Sequence, residues 1–196
     1  DIVGDEITAT INGKNFATAD YEAATGIVTL DKASLGKLFG NQSIVLSIRK
    51  TENGLPTFNT TVNLDVRLAS MIIKTADDLD AFMGAAKTYD DREGGYSGLF
   101  LLGNDIDYTG REYTPKYPSF NVTDFRAGGF IGIFDGQNHT IKGFHTVGKR
   151  SGLVGWVGPD GIIRNISFTD AIQEGNGALV AGTCIGRIAV SYTHLT

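Results

Sequence analysis

The chain has 196 residues, 41% of them hydrophobic and 20% charged, and a formal net charge of −5. This is the composition of an ordinary globular chain of one or two domains, and its acidic balance argues against a nucleic-acid partner, whose phosphates demand a basic face. No apolar run approaches the roughly 20 residues that span a bilayer, so no membrane-spanning segment is expected.

The chain starts at Asp1 with no basic-then-apolar leader, which points to a processed chain or a piece of a longer one. The single cysteine, Cys184, can form no internal disulfide and is expected to be a small buried apolar residue. Glycine divides the sequence: 6 of the 26 glycines lie in residues 1–70 and 20 after them. Two kinds of structure are therefore expected.

Residues 1–66 read as short strands between turns. The alternating stretch 7–11 runs into Asn12-Gly13, a tight-turn dipeptide, and then into 15–19. Thr25-Gly26 turns into 27–30, and residues 33–39 predict a turn or two of helix. Residues 43–49 alternate through Ile44, Leu46 and Ile48. Asn53-Gly54 turns into 58–68, which alternates through Val62, Leu64 and Val66. Strands at this spacing predict a β-sandwich. There is no Cys…Trp…Cys signature, so residues 1–70 resemble the immunoglobulin-like modules of bacterial surface proteins rather than an antibody domain, with first strands expected upstream of Asp1.

One helix follows. Thr75 is an N-cap and Asp78 closes a variant capping box. Leu79, Phe82, Met83 and Ala86 share one face, which is expected to dock on the next domain.

The remainder repeats weakly. Gly129-Phe-Ile-Gly132 recurs 23 residues on as Gly152-Leu-Val-Gly155, and 26 further as Ala178-Leu-Val-Ala181. Ile141-Lys-Gly-Phe144 recurs 22 on as Ile163-Arg-Asn-Ile166. Units this short cannot bury an apolar face alone and must stack. The expected fold for residues 71–189 is a right-handed parallel β-helix. Its interior is drawn from Phe130, Ile133, Phe134, Ile141, Phe144, Leu153, Val154, Trp156, Ile163, Ile166 and Phe168, with the helix near 76–88 capping the first coil. The expected class is thus all-β with one N-terminal capping helix.

Residues 190–196, Val-Ser-Tyr-Thr-His-Leu-Thr, break this pattern. They resemble the translation of a transposase mosaic-end adapter, so the native chain is expected to continue past Val190, with the tail an adapter-derived addition to a bacterial metagenomic sequence.

Ile73-Lys-Thr-Ala-Asp-Asp-Leu79, Asn104-Asp-Ile-Asp107, Phe130-Ile-Gly-Ile-Phe-Asp-Gly-Gln-Asn-His-Thr-Ile141, Ser151-Gly-Leu-Val-Gly155 and Gly161-Ile-Ile-Arg-Asn165 follow one order. Over about residues 72–189 that order resembles the β-helical repeats of bacterial surface proteins, including the GLUG-motif family and the N-terminal region of IgA-specific metallopeptidases. The resemblance implies a module of a large secreted or cell-surface protein. It carries over no peptidase activity, because the zinc motif His-Glu-x-x-His is absent from the chain.

Few residues offer chemistry. Asp135-Gly-Gln-Asn-His139 reads as a turn, with Asp bonding backbone amides and Gly accepting positive φ. Asp160-Gly161 lies 25 residues on. Stacked about one strand spacing from Asp135, roughly 5 Å, Asp160 would complete the carboxylate pair of a retaining glycosidase. That is the alternative reading: a glycoside hydrolase or lyase on a β-helix. Asp105 and Asp107 share one side of a strand and are the calcium candidates, although an Asp-rich calcium loop is missing. Tyr113, Tyr117 and Phe120 lie in a loop, where aromatics can stack on sugars. No cofactor is expected: there is no phosphate-cradling or dinucleotide glycine loop. The expected function is non-catalytic: a structural or adhesive module, secreted or at the cell surface, with a glycan or host protein as ligand.

Overall fold

The computed structural model describes residues 7–16, 18–22, 27–30, 38–87, 95–114, 129–189 and 192–195, with side chains at 7–15, 38–86, 95–114 and 129–189. The chain divides into two compact units, Asp1–Leu68 and Ala69–Thr196.

The first unit is antiparallel. Strands β1 (Ile7–Ile11), β2 (Lys14–Phe16), β3 (Thr18–Glu22), β4 (Ile27–Leu30), β5 (Gly40–Glu52) and β6 (Leu55–Leu68) form a four-stranded sheet, β2-β1-β5-β6, and a separate β3-β4 pair. Asn12-Gly13 and Asn53-Gly54 turn two hairpins with positive φ at both residues (50° and 78°, 51° and 78°), the geometry that matches strand twist. Ile7, Ala9 and Ile11 lie opposite Ile48, Leu46 and Ile44, and Leu46 and Ile44 lie opposite Val62 and Leu64. One face of the sheet is therefore apolar, as the alternation predicts. It is buried at Ile7, Ala9, Ile11 and Ile44 but open at the β6 edge. The helical turn expected over 33–39 falls mostly outside the described residues; Leu38 and Phe39 are not helical.

The second unit is a β-solenoid of about four turns. Strand β7 (Met71–Ile73) leads into helix α1 (Ala76–Lys87). Then come β8 (Leu99–Leu102), β9 (Ile106–Asp107), β10 (Ile133–Lys142), β11 (His145–Val147), β12 (Val154–Val157), β13 (Ile162–Glu174), β14 (Ala181–Cys184), β15 (Arg187–Ala189) and β16 (Tyr192–Leu195). All of their pairings are parallel. Met71, Phe100, Phe134, Ile163 and Ile188 stand in register on one side, 29, 34, 29 and 25 residues apart. Ile106, Ile141, Phe168 and Thr193 stand on a second, and Tyr96, Phe130, Val157 and Cys184 on a third. The longest interval contains residues 115–128.

This register corrects the repeat read from the sequence. Gly152-Leu-Val-Gly155 does stack on Ala178-Leu-Val-Ala181, since the Leu153 amide donates to Leu179 and Val154 faces Ala181. Gly129 does not stack on Gly152, because Phe130 pairs with Val157; Ile141 pairs with Phe168 rather than Ile163. A short apolar motif matches itself at several offsets. The true offset is set at the corners, where glycines let backbones touch. A Cβ on Gly132 would collide with the Gly98 backbone, and one on Gly161 with the Phe130 carbonyl.

Ten of the eleven expected interior residues are buried. Ile133 is only half-buried, because neighbours on a strand point to opposite sides and Phe134 takes the inner one. Cys184 corrects the sequence reading. It stands in register with buried Val157, yet it is exposed, because it lies in the last coil of its stack with no described coil over it.

Helix α1 forms as the sequence predicts. The Asp78 amide donates to Thr75 Oγ1 at 3.1 Å, and Asp78 Oδ2 accepts from the Thr75 and Lys74 amides at 3.0 and 2.9 Å. Leu79, Phe82, Met83 and Ala86 are buried in the solenoid core. The Phe82 ring lies 4.9 Å from Phe100, 5.0 Å from Phe134 and edge-on to Phe130 at 5.8 Å. Arg111 ion-pairs with Asp77 and Asp80 at 2.7 and 2.8 Å, and the Tyr108 hydroxyl donates to Asp80 at 2.5 Å. Burial, then the Asp80 carboxylate, pushes the Tyr108 phenol well above its ordinary pKa. The helix is thereby tied to the first coil by both packing and charge.

Residues 192–195, expected to lie outside the fold, pair parallel to β13 as β16. The pairing uses backbone groups that any non-proline sequence supplies.

Candidate functional site

The corner at Asp135–His139 is built for stacking. Asp135 faces Arg164 and His139 faces Ile166, so 136–138 oppose the single residue Asn165. The extra length is absorbed by left-handed backbone at Gln137, Asn138 and Asn165 (φ 50°, 67° and 54°). Gly136 itself does not need positive φ, contrary to the turn expected from the sequence. It is glycine because a Cβ there would drive into the Asn165 carbonyl.

Asp135 is 4% exposed. Its Oδ2 accepts from Arg164 Nε and Nη2 at 3.1 and 3.0 Å. Its Oδ1 accepts from Asn165 Nδ2 at 3.0 Å and from the Gln137 amide at 3.1 Å. Gln137 reaches the other way, donating to the Leu102 carbonyl at 2.7 Å. Three successive coils are thus pinned at one corner. Asp160 is not brought into register with Asp135: it is exposed in the turn before β13, four residues ahead of Arg164. The stacked carboxylate pair of the glycosidase reading does not form, because true coil length and the 25-residue Asp–Asp spacing differ.

Asp105 and Asp107 hold turns. Asp105 Oδ1 accepts from the Thr140 amide at 2.8 Å and lies 3.2 Å from His139 Nδ1. The Thr140 amide first, then His139, lowers the Asp105 pKa. Asp107 Oδ1 accepts from the Thr109 amide at 3.0 Å, and Thr109 lowers its pKa too. His139 therefore bonds a carboxylate on the preceding coil, not a turn carbonyl. Tyr113 is half-buried against the core, with its hydroxyl donating to the Met83 carbonyl at 3.2 Å. It is not a free stacking platform. Tyr117 and Phe120 lie outside the described residues.

A site the sequence did not reveal lies on the flank. Thr109–Glu112, Lys142–His145 (without Phe144) and Asp170 with Ile172 line a cleft of about 460 Å3. Three coils supply it. Gly143, at φ +65°, lets the first two meet, since a Cβ there would sit 2.6 Å from Thr109 Oγ1. Asp170 also holds left-handed backbone (φ 50°). His145 Nε2 lies 3.1 Å from Glu174 Oε1, Ile172 is 47% exposed, and Arg111 is held by Asp77 and Asp80. His145 and Ile172 share a register position, and the Gly143 amide donates to the Thr169 carbonyl. The signal in the sequence was a 27-residue offset, legible only once coil length is known.

Among the described residues no helix is long and apolar enough to cross a membrane. No family model, curated protein or solved structure matches this chain.

Proposed function

We infer that this chain is a non-catalytic structural and adhesive module of a large secreted or cell-surface bacterial protein, with a glycan or host protein as its ligand. The observation that carries the reading is the Asp135 corner. The best-placed carboxylate in the solenoid is buried and spent on bonds that join coils, so it serves rigidity. Asp105 and Asp107 are spent similarly. The order of motifs resembling the surface-protein β-helical repeats supports the location. The antiparallel first unit, with one apolar sheet face, supports an immunoglobulin-like module before the solenoid. Right-handed coiling follows from the general preference of parallel crossovers.

The test is to incubate the full chain with soluble polysaccharides and, separately, with immobilised glycans and matrix proteins. Retention without product release is the expected result. Product release that Asp135→Asn or Asp160→Asn abolishes would sink the reading in favour of a carbohydrate-active enzyme.

A further inference from the structure

We propose that the flank cleft between Glu112, Lys142 and Asp170 binds a neutral oligosaccharide. The proposal rests on the adhesive reading above and assigns it a site. The cleft is of ligand size, and its polar groups come from three stacked coils rather than from one loop. Lys142 and Asp170 are tied by no side-chain hydrogen bond or ion pair within the described residues, so donors and an acceptor remain for a ligand. A sugar hydroxyl both donates and accepts, and this mixture answers it. Exposed Ile172 offers an apolar surface to a ring face.

Charge narrows the class. Arg111 is already balanced by Asp77 and Asp80, which leaves Lys142 against Glu112 and Asp170, with Glu174 behind His145. A polyanion would meet these carboxylates. A hard cation would meet Lys142 and too few oxygens. A peptide adding as a strand needs free backbone edges. Here the backbone is already used between coils, Gly143 to Thr169, Ile172 to Phe144 and Tyr113 to His145.

The experiment measures binding of the full chain to neutral hexasaccharides of glucose, mannose, galactose and N-acetylglucosamine, with oligogalacturonate and sulfated oligosaccharides as the acidic arm and matrix proteins as a third. Retention of a neutral probe, weakened at least tenfold by Asp170→Asn and by Lys142→Met but not by Asp160→Asn, is the expected result. Asn tolerates the left-handed backbone at 170, and an unchanged urea midpoint confirms that each variant folds. A neutral probe bound equally by all variants overturns the cleft assignment and leaves the adhesive reading standing. Retention of acidic probes or proteins alone overturns the ligand class. Retention of nothing overturns the site and the adhesive reading together.

Discussion

Arg164 grips Asp135 from the next coil, donating through Nε and Nη2 to one carboxylate oxygen at 3.1 and 3.0 Å. The carboxylate is 4% exposed, whereas the Arg164 side chain is 40% exposed. Removing the two partners therefore has unequal costs. Asp135→Ala strands Asn165 and the Gln137 amide and is expected to cost about 2–4 kcal/mol. Arg164→Lys loses the two-pronged grip and is expected to cost about 1 kcal/mol. Urea unfolding followed by fluorescence of Trp156 measures both, because it is the one tryptophan and is buried in this unit. An unchanged midpoint for Asp135→Ala would remove the structural role assigned to it.

Two glycines are expected to respond with opposite signs. Gly136→Ala drives a methyl into the Asn165 carbonyl and is expected to cost about 1–3 kcal/mol as an overpacked contact. Gly84 lies exposed within α1 with nothing near its missing Cβ, so Gly84→Ala is expected to stabilise by about 0.5–1 kcal/mol. The same fluorescence titration reads both.

The helix cap provides a third measurement. Thr75 Oγ1 accepts from the Asp78 amide at 3.1 Å, and Thr75→Ala is expected to cost about 1 kcal/mol. The loss should fall on the whole solenoid unit, because α1 covers its interior through Phe82. A helix signal lost before the Trp156 transition would show that the cap unfolds separately.

Thr146 is fully buried, and its Oγ1 has no hydrogen-bond partner among the described residues. Thr146→Val keeps the shape and removes the stranded hydroxyl, so it is expected to raise stability by about 1 kcal/mol. Destabilisation would reveal a partner for the hydroxyl.

Acid should weaken the solenoid in a defined direction. Asp78, Asp105 and Asp107 all have folded pKa values below their ordinary ones, chiefly through amide hydrogen bonds from Lys74 and Thr140 and through Thr109. A depressed folded pKa gives stability that is complete above the unfolded value, about 4, and is lost as pH falls through the folded value. Asp105→Asn is therefore expected to be less stable than the parent at pH 7 and to converge with it in acid. Parallel pH profiles of the urea midpoint would refute the assignment.

Local signals carried through to the structure wherever the physics is local. Asn-Gly at 12–13 and 53–54 makes its turns because only particular backbones close a two-residue hairpin. Thr75 and Asp78 start a helix because their side chains replace missing amide partners one turn away. Alternation at Phe130, Phe134 and Ile141 marks the inner side of parallel coils. What failed was register. The 22- and 23-residue repeats aligned apolar letters, while the coils align where glycine backbones meet, 25 to 34 residues apart along the Phe100 column.

That difference decided the site. The sequence by itself determined strand content, the capped helix and a stacked architecture, because turn, cap and pleat are set by neighbours in the chain. Only the tertiary structure decided that Asp135 meets Arg164 rather than Asp160. It alone decided that Glu112, Lys142 and Asp170 share a cleft. Which residues face each other across coils depends on the length of every corner between them.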